Sequence, residues 1–89
     1  MSVSVSGHDI FRSKWKPRVL VAILKRKYRF NKIKLSLKSI SSRTLSRCLA
    51  RLIEINLIEK IGDDYFLTSV GSQIAEHLAH IYDIIERPL

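Results

Sequence analysis

The stretch Ile40-Ser-Ser-Arg-Thr-Leu-Ser-Arg-Cys-Leu-Ala-Arg-Leu-Ile-Glu-Ile-Asn-Leu57 decides how the rest of the chain is read. At ~100° per residue, Leu45, Cys48, Leu49, Leu52 and Ile53 gather on one side, the spacing of a helix packed on a core. The other side carries Arg43, Arg47 and Glu54 with Ala50 between them, and Thr44, Ser46 and Arg51 on its flanks. Ser41 or Ser42 can cap the start, because a serine oxygen accepts an orphan N–H of the first turn. Asn56 stands where the chain leaves the helix, and asparagine is the best substitute for glycine in a left-handed C-cap. The expected element is a short helix with defined ends, an apolar back and a front of guanidinium, hydroxyl and methyl groups. Such a front can read base edges in a major groove: arginine to guanine, serine or threonine to either, a methyl to thymine. A solvated basic face on an ordinary amphipathic helix has the same pattern, and the helix alone does not choose.

Charge around this stretch favours the first reading. The chain holds 16 Lys and Arg against 8 Asp and Glu, and they are unevenly placed. From Arg12 through Arg51 there are 14 basic residues and no acid, whereas Glu54, Glu59, Asp63, Asp64, Glu76, Asp83 and Glu86 follow. Self-repulsion in the basic block costs stability unless a polyanion relieves it. Nucleic acid is the polyanion that suits a small folded chain. An anionic membrane surface is the competitor, but the cations are not segregated on one long amphipathic helix.

Other classes fall away. At 89 residues and 46% hydrophobic content the chain is one small folded domain with little core to spare. Its longest apolar run, Val19–Leu24, is far short of the roughly 20 residues that cross a bilayer. With no secretory pattern at the N-terminus, a cytoplasmic, nucleoid-associated protein is expected. The single cysteine, Cys48, excludes an intramolecular disulfide and a cysteine-rich zinc site, and on the inner face it packs as a small hydrophobe. His77 and His80 are spaced for two metal ligands but lack a third, so no metal is expected. His8-Asp9 is likewise isolated. There is no nucleophile elbow, no phosphate-cradling glycine loop and no inward carboxylate pair, so neither catalysis nor a cofactor is expected. So short a chain also leaves little room for a small-molecule effector pocket.

Along the chain, residues 1–7 alternate serine and valine and read as a flexible or edge-strand tail, leaving 8–89 as a single domain. Asp9–Arg12 can form one helical turn carrying Ile10 and Phe11 inward. Pro17 suits the first turn of a helix whose inner face is Val19, Leu20, Ile23 and Leu24, with Trp15 folded against it and Lys25–Arg29 as a cationic last turn. Tyr28–Ser39 is ambiguous. Lys32-Ile-Lys-Leu-Ser-Leu-Lys38 alternates as a strand does, yet Asn31 as N-cap with a Phe30–Leu35 staple supports a helix with Phe30, Ile33 and Leu37 inward. Leu57–Ile61 and Tyr65–Thr68 around Gly62-Asp-Asp64 read as a hairpin. Thr68 can cap a final helix over 69–86, striped by Val70, Ile74, Leu78, Ile81 and Ile85. Its near end can pack on the core, whereas its far end needs another chain.

This order, three helices, a hairpin and a helix, is that of a winged helix-turn-helix domain. Lys14-Trp15, Arg29-Phe30-Asn31, Ile40-Ser41 with Leu45-Ser46 and Leu49, Leu52, Leu57-Ile58-Glu59-Lys60, and Tyr65-Phe-Leu-Thr68 followed by Gly71 resemble the HxlR-type winged-helix transcriptional regulators. The resemblance spans Ser13 to about Leu78. It implies a mainly α fold with a small β-hairpin (α+β): a three-helix core, a wing and a C-terminal dimerisation helix. It implies a helix over Asn31–Lys38, a recognition helix at Ser42–Ile55, and a homodimer across two half-sites of double-stranded DNA. The dimer contacts would come from the N-terminal segment and C-terminal helix, through Ile10, Phe11, Ile74, Leu78, Ile81 and Ile85. Three departures stand out. Ser39 and Asn56 replace usual glycines, Asp63 and Asp64 at the wing tip disfavour minor-groove insertion, and the N-terminal cysteine of redox-sensing members is absent.

Arg43, Arg47 and Ser46 are the expected base contacts, with Ser42, Thr44 and Arg51 near phosphates. Lys32, Lys34 and Lys38 belong to the preceding helix, which crosses the backbone in this geometry. Lys60 either touches a phosphate or offsets Asp63 or Asp64. Two other functions fit the same composition: an architectural nucleic-acid coater, and a winged helix used only for protein contacts. A coater needs exposed stacking aromatics, whereas Phe11, Trp15, Phe30 and Phe66 all fall at expected core positions.

Overall fold

The computed structural model describes residues 14–86. Its elements run α1 (Lys16–Leu24), α2 (Phe30–Leu37), α3 (Ser42–Glu54), β1 (Ile58–Ile61), β2 (Asp64–Leu67) and α4 (Ser69–Glu86). The winged-helix arrangement is the one expected. The tail at 1–7 and the residues Ile10 and Phe11 lie outside the described residues.

Helix α1 is the centre of the packing, with Val19, Leu20 and Ile23 almost wholly buried. It lies chiefly against α4 and also meets α2, α3 and β2. Pro17 sits in its first turn as expected. The helix ends earlier than the basic run suggested. Lys25 is the C-cap, Arg26 turns left-handed at φ 69°, and the N–H groups of Arg26 and Lys27 return to the Ile23 and Ala22 carbonyls. That paired closure is a Schellman motif, so the cations lie beyond the last turn rather than in it.

The ambiguous segment is helical, and its start corrects the expected cap. Arg29, not Asn31, occupies the N-cap, with an extended backbone and no side-chain cap bond. The reason is tertiary. Tyr65 N–H donates to the Tyr28 carbonyl, and Arg29 bridges Asp64 in antiparallel fashion, so the hairpin fixes where α2 begins. Leu35 is 73% exposed and staples nothing. Ile33 is buried, with Phe30 and Leu37 packed beside it as expected.

The hairpin closes with a two-residue turn, since Ile61 pairs with Asp64. Gly62, the first turn residue, has φ 63°, which suits the position a type II′ turn reserves for glycine. Phe66 is not a core residue: it pairs with exposed Glu59 and stacks on Tyr28 at 4.9 Å, half-buried. Thr68 caps α4 as expected, its hydroxyl accepting from Gly71 N–H at 3.1 Å while donating to the Asn56 carbonyl at 2.8 Å. One side chain therefore ties the end of α3 to the start of α4. Along α4, Gly71, Ala75 and Leu78 are buried, whereas Val70 at the near end is exposed.

Candidate nucleic-acid interface

Helix α3 is built as its pattern required. Leu45, Cys48, Leu49 and Leu52 are buried, and Ile53, at the margin of the apolar arc, is 40% exposed and so only borders the core. Of the two possible caps, Ser41 is the one used. Its oxygen accepts from Thr44 N–H at 3.1 Å, and its hydroxyl donates to Thr44 Oγ1 at 2.9 Å. At the other end Asn56 has φ 64°, with its own N–H and that of Leu57 returning to the Ile53 and Leu52 carbonyls. Both ends are thus fixed by local hydrogen bonds, and four buried side chains set the rotation of the helix about its axis.

That rotation turns Ser42, Arg43, Ser46, Arg47 and Ala50 to the surface. Arg43 and Arg47 are one turn apart, so their guanidinium groups share a face. Among the described residues neither has an acidic or hydrogen-bonded partner. Arg51 is different: half-buried, it donates through Nη1 to Glu54 Oε1 at 2.6 Å. Thr44 is half-buried and engaged with the cap. The front therefore offers two free guanidiniums and two serine hydroxyls in the midst of a basic block.

The lysines expected near the backbone are dispersed. Lys32 and Lys38 are exposed on α2 and at its C-cap, and Lys34 is half-buried beside them. Lys60 lies 5.6 Å over the Tyr65 ring, and Asp64 is held by Arg29 Nε at 3.0 Å rather than by Lys60. The cationic run places Arg29 at a helix C-terminus, and only the pairing of distant segments reveals this ion pair. Cys48 is buried and free, and desolvation pushes its thiol above the ordinary range, with nearby Lys16 opposing.

The dimer candidates divide by burial. Leu78 is 6% exposed against the chain's own core and Ile74 is half-buried, whereas Ile81 and Ile85 are 47% and 70% exposed. Ile84, 54% exposed, lies beside them and was not among the expected contacts. A groove of about 610 Å³ runs between α1, the end of α2 and the second half of α4, with Val21, Ala22, Leu37 and Ala79 among its walls and charged groups at its rim. Among the described residues no three His, Cys, Asp or Glu side chains cluster as metal ligands, and no helix is long and apolar enough to cross a membrane.

A family model described as HxlR-like helix-turn-helix matches residues 10–89. Among solved structures, the chain is similar to one entitled "Crystal structure of the quinone-bound YodB from B. subtilis". The two share a TM-score of 0.76 and 18% identity over 99% of this chain and 100% of that one. At that identity the likeness concerns the fold. No curated protein matches the chain in sequence.

Proposed function

This chain belongs to the HxlR-like helix-turn-helix family, a family of DNA-binding transcriptional regulators, and we propose that it binds double-stranded DNA sequence-specifically as a homodimer. Helix α3 enters the major groove with Arg43, Ser46 and Arg47 toward base edges. Ser42, Thr44 and Arg51 lie near phosphates, and Lys32, Lys34, Lys38 and Lys60 approach the backbone. The observation that carries this reading is the pair of guanidiniums, Arg43 and Arg47, without a partner among the described residues, on the outer face of a helix whose back and both ends are fixed. Arginine forks bidentately onto guanine, which gives discrimination between base pairs as well as attraction to phosphate.

The second protomer joins through the exposed end of α4, where Ile81, Ile84 and Ile85 form an apolar patch. Two recognition helices then address half-sites about 34–36 Å apart along the duplex.

Selection of bound duplexes from a random pool tests the proposal and names the half-site. Against the selected sequence, Arg47→Ala is expected to lose about 1–3 kcal/mol and to relax specificity at one position, whereas Lys34→Ala lowers affinity evenly across sequences. If neither substitution changes binding to any duplex, α3 is not the reading element. Competition by random duplex at fixed salt separates this function from non-specific coating, which would show no enrichment.

A further inference from the structure

Lys38, in the turn between α2 and α3, has φ 54° and ψ −104°. These angles lie well away from the left-handed helical well at ψ near +47°, in a region glycine enters freely and residues with a Cβ avoid. Among the described residues two other non-glycine residues have positive φ, Arg26 and Asn56, and the chain accounts for both. Each is the left-handed residue of a helix-ending motif that satisfies two orphan carbonyls. Lys38 has no such return. Among the described residues no backbone bond closes α2 through it, and its ammonium meets no acid, ring or acceptor. A strained residue that persists without an internal reward points to a role outside packing.

Its surroundings indicate which role. Lys34 and Lys38 border one shallow surface depression on α2 together with Asn31 and Leu35. Neither α2 nor α3 has an acid in its first turn. Three residues beyond Lys38, Ser41 opens α3, so the strained turn stands at the entrance to the proposed recognition helix. We propose that Lys38 is kept at this turn as an anchor for a DNA phosphate against the interest of the fold, so that stability and duplex affinity oppose each other at one residue. The inference rests on the DNA-binding reading above.

Three variants of the full chain test it: Lys38→Gly removes strain and charge, Lys38→Gln removes charge alone, and Lys38→Arg keeps both. A random-sequence duplex is the probe, because a phosphate contact is sequence-independent. Its affinity is followed by fluorescence anisotropy across a salt series, and melting is followed by circular dichroism. Lys38→Gly is expected to melt on the order of 4 °C higher than wild type. It should also bind several-fold more weakly, with a log–log salt slope shallower by about 0.9. Lys38→Gln should show the same shallower slope at the wild-type melting temperature, and Lys38→Arg should match wild type in both. The proposal is overturned if the Gly and Gln variants keep the wild-type slope, or if Lys38→Gly melts no higher. A wild-type chain that binds no duplex at low salt is a separate result, which removes the DNA-binding reading and this proposal with it.

Discussion

Gly71 stands where the fourth helix crosses the chain leaving the third, and a Cβ built there would overlap the Leu57 carbonyl oxygen. That oxygen also accepts from Thr68 N–H at 3.0 Å, so backbone rather than a flexible side chain would have to move. Gly71→Ala is therefore expected to destabilise the protein by about 3 kcal/mol, at the upper end of ordinary overpacking, despite alanine's better helix propensity. Urea unfolding reads this directly, and a neutral result would mean that α4 is not seated on Leu57 as described. Gly62 makes a contrasting case. Its Cβ would meet nothing, but φ 63° alone makes a substitution strained. Asn56 shows that a non-glycine residue can serve at a left-handed helix end: its φ of 64° lies in the region asparagine tolerates. With asparagine at this position the helix closure is intact.

Among the elements, α3 has the strongest local definition. The Ser41 cap, the Asn56 closure and the four-residue apolar seam are all short-range, which is why its bounds follow from sequence. Ser41→Ala removes the oxygen that holds Thr44 N–H and is expected to lower stability by about 1 kcal/mol. The same loss frees the first turn of α3 beside Ser42 and Arg43, so duplex affinity should fall with it. Calorimetry and anisotropy on one sample check both, and an unchanged melting temperature would count against Ser41 as the working cap. Helix α2 is the opposite case. Its strict alternation favours a strand, and its helical state depends on Ile33 and Leu37, four residues apart, both meeting the core while Leu35 is left outside. No local signal announces that Arg29 and Asp64, far apart in sequence, would set its first residue.

At the scale of the whole molecule, the described chain leaves one end of α4 uncovered. Ile81, Ile84 and Ile85 are all about half exposed or more, although Leu78, one turn before Ile81, is buried. A chain of this size has little core of its own, and a second copy placed against this patch would add apolar burial. For the proposed homodimer, replacing Ile81 and Ile85 together by Asp is expected to yield a monomer in sedimentation velocity. The helix should persist, since neither side chain packs on the chain's own core. Duplex binding should then weaken by well over tenfold, because two half-sites no longer engage as a linked pair. A double variant that still sediments as a dimer would place the subunit contact elsewhere.

Local pattern was enough for the buried seam of α3, the cap at Thr68, the span of α4 and the acid-free basic block, whereas it left α2 open between strand and helix. These rest on short-range periodicity, capping chemistry and composition, all of which are local. Features that need distant segments to meet emerge only on folding: the Arg29–Asp64 contact that starts α2, the ring contact of Phe66 with Tyr28, and the burial of Leu78 beside exposed Ile84 and Ile85. Periodicity places a residue on a face but does not say how far the neighbouring element extends over it. The positive φ at Lys38 likewise belongs to the turn between α2 and α3, and no local pattern in the sequence announces it.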